Sequence, residues 1–502
     1  MSSGSDTPDW PEPAPLYTAQ QTRELDRQAI EVHGIPGLTL MQRAGAFAFD
    51  CLRQGFPGAR RVVVVCGPGN NGGDGHVVAR LAHEAGLSVR VLMPVDPSRL
   101  RGDAATCAEE RRLAGVADEP WRPEALEDAD LVVDALLGTG LDRPVKEELA
   151  AVIGAINRTG TPVLAIDIPS GLNADTGQPM GCAVRARLTA TFIGRKRGLY
   201  TGEGPEHAGE IRFDDLGVPG LIYEAVPTRV SLLGLADLLG MLGPRPRTAH
   251  KGHFGHVLVV GGAPGYSGAA RMAGEAAMRT GAGLVSLATH PAHAAFAGLL
   301  RPELMCHAVS DPEGLGPLLE RATVVAVGPG LGQGEWGGAL LARLLEWDGP
   351  LVADADALNL LAAEPCRRED WVLTPHPGEA ARLLGCPTAA VQADRFAAAD
   401  ELGERYGGTI VLKGAGTLVR EPAGGTGVCP LGNPGMASGG MGDVLTGVIA
   451  GLIAQGLAPP AAAALGVCLH AAAADLAARE GERGLLAGDV VARLRTLVNH
   501  SC

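Results

Sequence analysis

Aromatic residues are scarce, only 4% of the 502 residues. A core built on stacked rings is thereby excluded. The packing must rest on Val, Leu, Ile and Ala, which suit buried parallel strands and helices. Ten cysteines are present, but none is spaced C-x-x-C. That spacing argues against a structural zinc site or a thioredoxin-like motif. No dense Lys/Arg block interrupts a formal net charge of −14. A nucleic-acid or anionic-membrane partner is therefore not expected. The opening MSSGSDTPDWPEPAP has no apolar signal core. It reads as a disordered tail over residues 1–15. The most apolar stretch, near 444–478, is broken by Gln455, Pro459 and Pro460, so buried helices are expected rather than a membrane span. A cytoplasmic protein is expected.

Glycine is plentiful, with 72 residues, and it clusters beside short apolar runs. Val62 to Val65 form a continuous β-branched run, the mark of a strand covered on both faces. SVRVLMP, ADLVVDALLGTG and TPVLAIDIPSG repeat the theme with helical stretches between. This alternation predicts a Rossmann-like, doubly wound α/β domain over 16–225, with 16–56 helical. A second series of strands and loops runs from HVLVVGGAPG to TIVLKGAGTLVR. It predicts another α/β domain over 235–500, with a linker near 220–235. In open α/β sheets, ligands bind beyond the carboxyl ends of the strands, so chemistry is sought in the loops that follow them.

In the first half that rule selects GPGNNGGDG (67–75), which is neither a G-x-G-x-x-G nor a Walker A sequence. It reads as a Gly-rich turn whose helix offers free N–H groups to phosphate. Asn70, Asn71 and Asp74 add side-chain oxygens. Asp134 and Asp167 each end a strand, and Ser170 follows closely. Asn71, Asp134 and Ser170 could converge as oxygen ligands for a hard cation, K⁺, Mg²⁺ or Ca²⁺. Taken singly, Asp134 reads equally well as a helix N-cap, and Lys196 as a surface lysine.

In the second half the strongest signal is NPGMASGGMGDVLTG (433–447). Val444, Leu445, Val448, Ile449, Leu452 and Ile453 recur at helical spacing, so a helix begins near Gly442. Amides of the preceding glycines can gather at its mouth as an anion hole. Asp443 stands beside that hole, placed to take the proton of a hydroxyl that attacks phosphorus. Lys413, with Gly414 and Gly416, ends the strand TIVL and fits a nucleotide phosphate, although TLVR directly after it also suits a hairpin. His376 and Glu379 lie in a proline-stiffened turn. Asp354, Asp356 and Asn359 follow another strand and could orient substrate or ion-bound water.

The first half resembles the YjeF N-terminal family of NAD(P)H-hydrate epimerases over about 16–220. The likeness rests on GPGNNGGDG, VDALLGTGLDRP, IDIPSGLNADTG and TFIGRKRGL. It implies that Asn70, Asn71, Gly72, Gly73 and Asp74, with Gly138, Thr139, Gly140, Leu141, Asp142, Arg143 and Pro144, hold the hydrated dinucleotide. Asp167 would contact the reacting ring and do the acid–base work, Lys196 would stabilise charge, and Asn71, Asp134 and Ser170 would bind K⁺. The second half resembles the ribokinase-like ADP-dependent NAD(P)H-hydrate dehydratases, through TPHPGEAARLL, VLKGAGT and NPGMASGGMGDVLTG. That likeness implies that Ala269, Gly330 and His376 contact the hydrated dinucleotide. Lys413, Gly414, Ala415, Gly416, Thr417 and Gly442 would hold ADP, with Mg²⁺ on its phosphates and Asp443 as base. The substrates implied are NADHX and NADPHX, and a homo-oligomer is expected. Two rivals remain at this level: another ribokinase-like kinase, such as a hydroxymethylpyrimidine or thiazole kinase, and a non-catalytic first half, even one that contacts RNA. The fused epimerase-like half weighs against the first. The retained Asn71, Asp134, Asp167 and Ser170 weigh against the second.

Overall fold

The computed structural model describes residues 10–299 and 301–499. Of the segment 1–15 expected as a tail, residues 1–9 lie outside the described residues. Trp10 packs against the C-terminal core, and Ala14–Tyr17 is a strand, β1.

The chain divides into two compact bodies, one of Pro15–Val230 and one formed mainly by Ser231 onward. In the first body, β1 pairs in parallel with β8 (Arg195–Lys196). The main sheet has seven strands: β2 (Arg61–Cys66), β3 (Ser88–Met93), β4 (Asp118–Pro120), β5 (Leu131–Ala135), β6 (Val163–Ile166), β7 (Leu188–Phe192) and β9 (Glu210–Asp214). Their order is β4-β3-β2-β5-β6-β7-β9, and every pairing is parallel. The winding reverses between β2 and β5, which opens a crevice there. Val62 and Val64 face one apolar cluster, and Val63 and Val65 face another. Both faces are thus covered, which is why the run shows no polar alternation. The helical stretch expected over 16–56 is interrupted. A helix at Ala19–Arg27 passes into a π turn at Gln28–Val32, and a second helix spans Gly37–Gly55.

The expected linker is structured. Leu221–Ala225 is helical, and the division falls within the short strand β10 (Val230–Leu232). The second body carries β11 (His256–Val260), β12 (Leu284–Thr289), β13 (Met305–Ala308), β14 (Val324–Val327), β15 (Leu351–Ala353), β16 (Trp371–Leu373), β17 (Thr409–Leu412), β18 (Thr417–Arg420) and β19 (Thr426–Cys429). They run in the order β13-β12-β11-β14-β15-β16-β17-β18-β19. The strands are parallel up to β17, then two antiparallel steps follow. Helix Pro459–Glu480 is long and apolar enough to cross a membrane, but 78% of its apolar window is buried within the body. It is a core helix.

Helix Met441–Ala454 is buried along nearly its whole length and lies against Ser267–Thr280. A Cβ at Gly447 would sit 2.0 Å from the Ala273 carbonyl oxygen, and one at Gly451 would sit 2.8 Å from that of Ala277. Only glycine permits this approach, and it fixes where the helix mouth opens. In an exposed helix, Gly→Ala stabilises by ~0.5–1 kcal/mol. Gly447→Ala should have the opposite sign here, destabilising the second body by roughly 1–3 kcal/mol through overpacking, as read by denaturant unfolding.

Candidate active sites

The first body holds a cavity of about 660 Å³ whose lining includes Asn70, Asn71, Asp74, Asp167 and Lys196, together with Gly138 through Pro144. The crevice between β2 and β5 therefore gathers most of the residues expected to contact the dinucleotide, but Gly72 and Gly73 are not in its lining and are buried in the packing behind it. One local expectation is corrected. NNGGDG is not a turn, because helix Asn70–Glu84 begins at Asn70. Helix propensity disfavours two adjacent glycines there by ~1 kcal/mol each, but packing requires them. A Cβ at Gly72 would lie 2.0 Å from the Gly67 oxygen, and one at Gly73 2.5 Å from the Met41 sulfur.

Asp134, Ser170 and Asn71 converge as expected. Asp134 is fully buried and accepts from Ser170 N at 2.8 Å, Ser170 Oγ at 2.6 Å and Leu136 N at 3.2 Å, so it is not a helix cap. Burial pushes its carboxyl up to about 6, against the pull of those hydrogen bonds. Asn71 Nδ2 donates to Leu137 O at 3.1 Å, and its buried Oδ1 has no partner. An orphaned amide oxygen beside a buried carboxylate, a hydroxyl and the Leu137 carbonyl is the donor set that a hard monovalent cation satisfies.

Asp167 follows β6 at φ 66°, a strained backbone position for a residue that is not glycine. Lys196 Nζ donates to its carboxylate and also, at 3.0 Å each, to Thr191 Oγ1 and Phe192 O. The Lys196 side chain is 1% exposed. It is therefore no surface lysine, but the buried counter-ion of the expected acid–base residue.

In the second body, Lys413 Nζ donates to Asp354 Oδ1 at 2.6 Å and lies 3.7 Å from Glu379 Oε2. Thr446 Oγ1 donates to Asp354 Oδ2 at 3.0 Å, which ties the pair to the helix that carries Asp443. Measured from a Cβ built at Gly442, Asp354 Oδ2 and Lys413 Nζ are both 3.2 Å away. Gly440, at φ 94°, turns the glycine run into that helix. The ion pair, Gly442 and the helix mouth thus form one site. Burial would raise Asp354, but Lys413 and hydrogen bonds from Thr374 and Thr446 hold it below its ordinary value. Burial and then the Asp354 charge push Asp443 up to about 7, opposed by Lys413. Burial also raises Glu379.

Gly414 and Gly416 turn β17 back into β18. Thr417 closes the turn by donating from Oγ1 to Gly414 O at 2.9 Å, so the expected phosphate loop is also the hairpin. Ala269 and Gly330 are neighbours: a Cβ on Gly330 would lie 3.3 Å from that of Ala269. His376 serves first as a helix cap. Its Nδ1 accepts from Gly378 N at 2.9 Å and Glu379 N at 3.3 Å, and burial and then Lys413 lower its pKa. Asp356 holds the glycine loop through Gly332 N at 2.9 Å. Asn359 instead accepts from Arg382 at 2.6 Å. Thr446 was not anticipated, although its place three residues after Asp443 puts it on the same helix face.

Two α/β bodies, one with a crevice site at its winding reversal and one with a glycine-spaced helix mouth beside a buried Lys–Asp pair, define a two-domain enzyme class that handles anionic, nucleotide-like substrates. Residues 257–495 match the family model for NAD(P)H-hydrate dehydratase, and residues 37–198 match that for the YjeF-related protein N-terminus. Over 485 residues the chain is 51% identical to a bifunctional NAD(P)H-hydrate repair enzyme of Coxiella burnetii, covering 96% of this chain and 99% of that one. The corresponding protein of Escherichia coli is 45% identical over 492 residues, covering 97% and 94%. The crystal structure of a hypothetical protein from Streptococcus mutans is 30% identical with a TM-score of 0.50, covering 53% of this chain and 98% of that one. The chain belongs to the family of bifunctional NAD(P)H-hydrate repair enzymes, with a YjeF-type first domain and a ribokinase-like second domain.

Asp443 also links the site to stability. Its folded pKa of about 7 lies above its ordinary 3.8. Between those values the folded chain holds a proton that the unfolded chain has lost, so stability falls as pH rises through that window. Asp443→Asn should therefore stabilise the second body only in part at pH 5, by at most about 2 kcal/mol. At pH 8 it should stabilise the second body, by at most about 4 kcal/mol. Thermal scans at both pH values read the difference.

Proposed function

We propose that the protein restores hydrated NADH and NADPH, with the first body interconverting the R and S epimers and the second dehydrating the S form at the expense of ADP. The observation that carries this reading is Asp443, a carboxyl poised near neutrality at a helix mouth beside the Lys413–Asp354 pair. In its ionised form Asp443 takes the proton of the substrate hydroxyl, and the oxygen attacks the terminal phosphorus of ADP. The amides at the mouth, including that of Gly442, receive the charge on the transferring group. Lys413 retains N–H donors for the nucleotide phosphates, in the loop it shares with Gly414, Ala415, Gly416 and Thr417. The lone pair of the ring nitrogen then expels phosphate, a ring proton is lost, and NAD(P)H, AMP and phosphate result.

Asp354, Glu379 and Asp443 act together on one ammonium, that of Lys413, and Asp356 adds its charge at Asp443. This excess of negative charge fits a divalent cation, and Mg²⁺ arriving with the nucleotide would neutralise phosphate charge. In the first body, Asn71, Asp134 and Ser170 would hold K⁺, which would offset the buried Asp134 carboxylate and pin the loop that carries Gly138 to Pro144. Asp167, kept beside Lys196, supplies acid–base chemistry to the ring. A cytoplasmic setting agrees with the free thiols, of which Cys51, Cys66, Cys107, Cys429 and Cys468 are buried.

With both epimers of NADHX and ADP, the recovery of NADH absorbance should go to completion. Asp443→Asn should lower dehydration by ~10²–10⁴-fold. Asp167→Asn should leave the R epimer behind while the S form is still consumed. Recovery that proceeds without a nucleotide would sink the phosphoryl-transfer reading. Potassium should raise the unfolding midpoint of the first body where lithium at equal ionic strength does not, and Asn71→Ala should abolish that difference.

A further inference from the structure

Asp26 is absent from the motifs read in the sequence, yet the fold carries it into the first cavity. It lies in helix Ala19–Arg27, which follows β1. Strand β1 pairs in parallel with β8, with Tyr17 opposite Lys196, so the helix starts beside the Asp167–Lys196 pair. The helix packs on the turn after β7: a Cβ at Gly194 would lie 3.0 Å from Leu25 Cδ1. Asp26 lines the same cavity as Asp74, Asp167 and Lys196. Directly after it the helix widens into the π turn Gln28–Val32, an insertion often found at functional sites.

Of the carboxylates lining this cavity, Asp26, Asp74 and Asp167 lie within the field of one buried ammonium, that of Lys196. An ammonium has three donors, and Lys196 directs its own to Asp167, Thr191 and Phe192. Those three bonds leave none for Asp26 or Asp74. We propose that Asp26 is the proton donor of the epimerisation, the acid partner to an ionised Asp167.

Burial, reinforced by Asp167 and opposed by Lys196, holds the Asp26 carboxyl up at about 6. The other charged groups lining the cavity are Arg23 on the same helix, Asp74, Arg99, Asp103, Asp142, Arg143, Lys146, Glu148, Asp167 and Lys196. Asp74 is raised too, by burial and then by Asp167 and Asp26. However, Asp74 sits in the first turn of helix Asn70–Glu84, where the helix dipole favours its ionised form. Asp26 has no such compensation.

This assignment rests on the epimerase reading. The hydrated ring carries its hydroxyl on the carbon beside the ring nitrogen. Asp26 gives its proton to that hydroxyl, and the C–O bond breaks with its electron pair leaving as water. The nitrogen lone pair forms the N=C bond. Water then adds to the opposite face of the flattened ring, its pair forming the new C–O bond while the N=C pair returns to nitrogen. Asp167 takes the proton that this water sheds. The protein ends with Asp26 ionised and Asp167 protonated, the form that runs the reverse conversion with the roles exchanged.

The test uses the full chain and the purified R epimer of NADHX, with epimers separated by chromatography and the spontaneous rate subtracted. Asp26→Asn should lower kcat ~10²-fold or more and leave KM within about threefold, as expected for a group acting only in the transition state. The wild-type rate should decline as pH rises above about 6, and the residual rate of Asp26→Asn should lack that decline. Asp26→Glu should recover part of the rate. In ¹⁸O-water, label should enter the hydroxyl once per inversion. An Asp26→Asn rate within threefold of wild type would overturn the proposal. So would a slowed variant that keeps the alkaline decline, or inversion without label. If the wild-type chain inverts epimers no faster than buffer, it is the epimerase reading that falls.

Discussion

In the second body the partly buried Lys413 pairs with the fully buried Asp354, and each holds the charge of the other in place. Removing either would strand the other in a medium that solvates it poorly, at a cost of ~3–5 kcal/mol. Together they set the field at the helix mouth. The Asp354 carboxylate helps to lift Asp443 toward neutrality, while Lys413 limits that rise. Thr446 binds the same carboxylate from the helix that bears Asp443, so the base, its tuning charge and the anion-binding amides move as one unit. Glu379 completes the arrangement by reaching Lys413 and by capping its own helix through His376 N at 2.8 Å.

The first body uses the same principle with different parts. Lys196 is pinned to Asp167, and the neighbouring Asp26 and Asp74 are left without a cation of their own. Burial raises both of those carboxyls. In both bodies a lysine pairs with an aspartate just past a strand end, and burial raises neighbouring carboxyls. The family assignment and this shared electrostatics agree, since each half must move protons to or from one hydroxyl on a nicotinamide ring.

Glycine supplies the geometry that makes such packing possible. Gly447 and Gly451 let helix Met441–Ala454 close onto Ser267–Thr280, and Gly72 and Gly73 let helix Asn70–Glu84 begin against the end of β2. Sequence reasoning reads Gly72 and Gly73 as turn formers, because propensity disfavours them in helices. Tertiary contact overrides that preference. This explains why the first Gly-rich motif is helix where a loop was expected.

By itself the sequence determined the architecture. The continuous apolar runs mark strands covered on both faces, the helix-spaced residues mark what covers them, and the strand-end motifs mark the two ligand edges. That Asn71, Asp134 and Ser170 come together was legible because groups at adjacent strand ends must converge at one sheet edge. Asp443 was legible because glycines before a helix have few other uses. Only the tertiary structure decided which charges meet. Lys196 reads as a surface lysine until β8 is seen to bury it, and His376 reads as a turn histidine until its ring is seen to cap a helix. Asp26 has no motif at all. Its surroundings come from strands and helices far away in the chain, and charge pairing depends on distances that residue order does not encode.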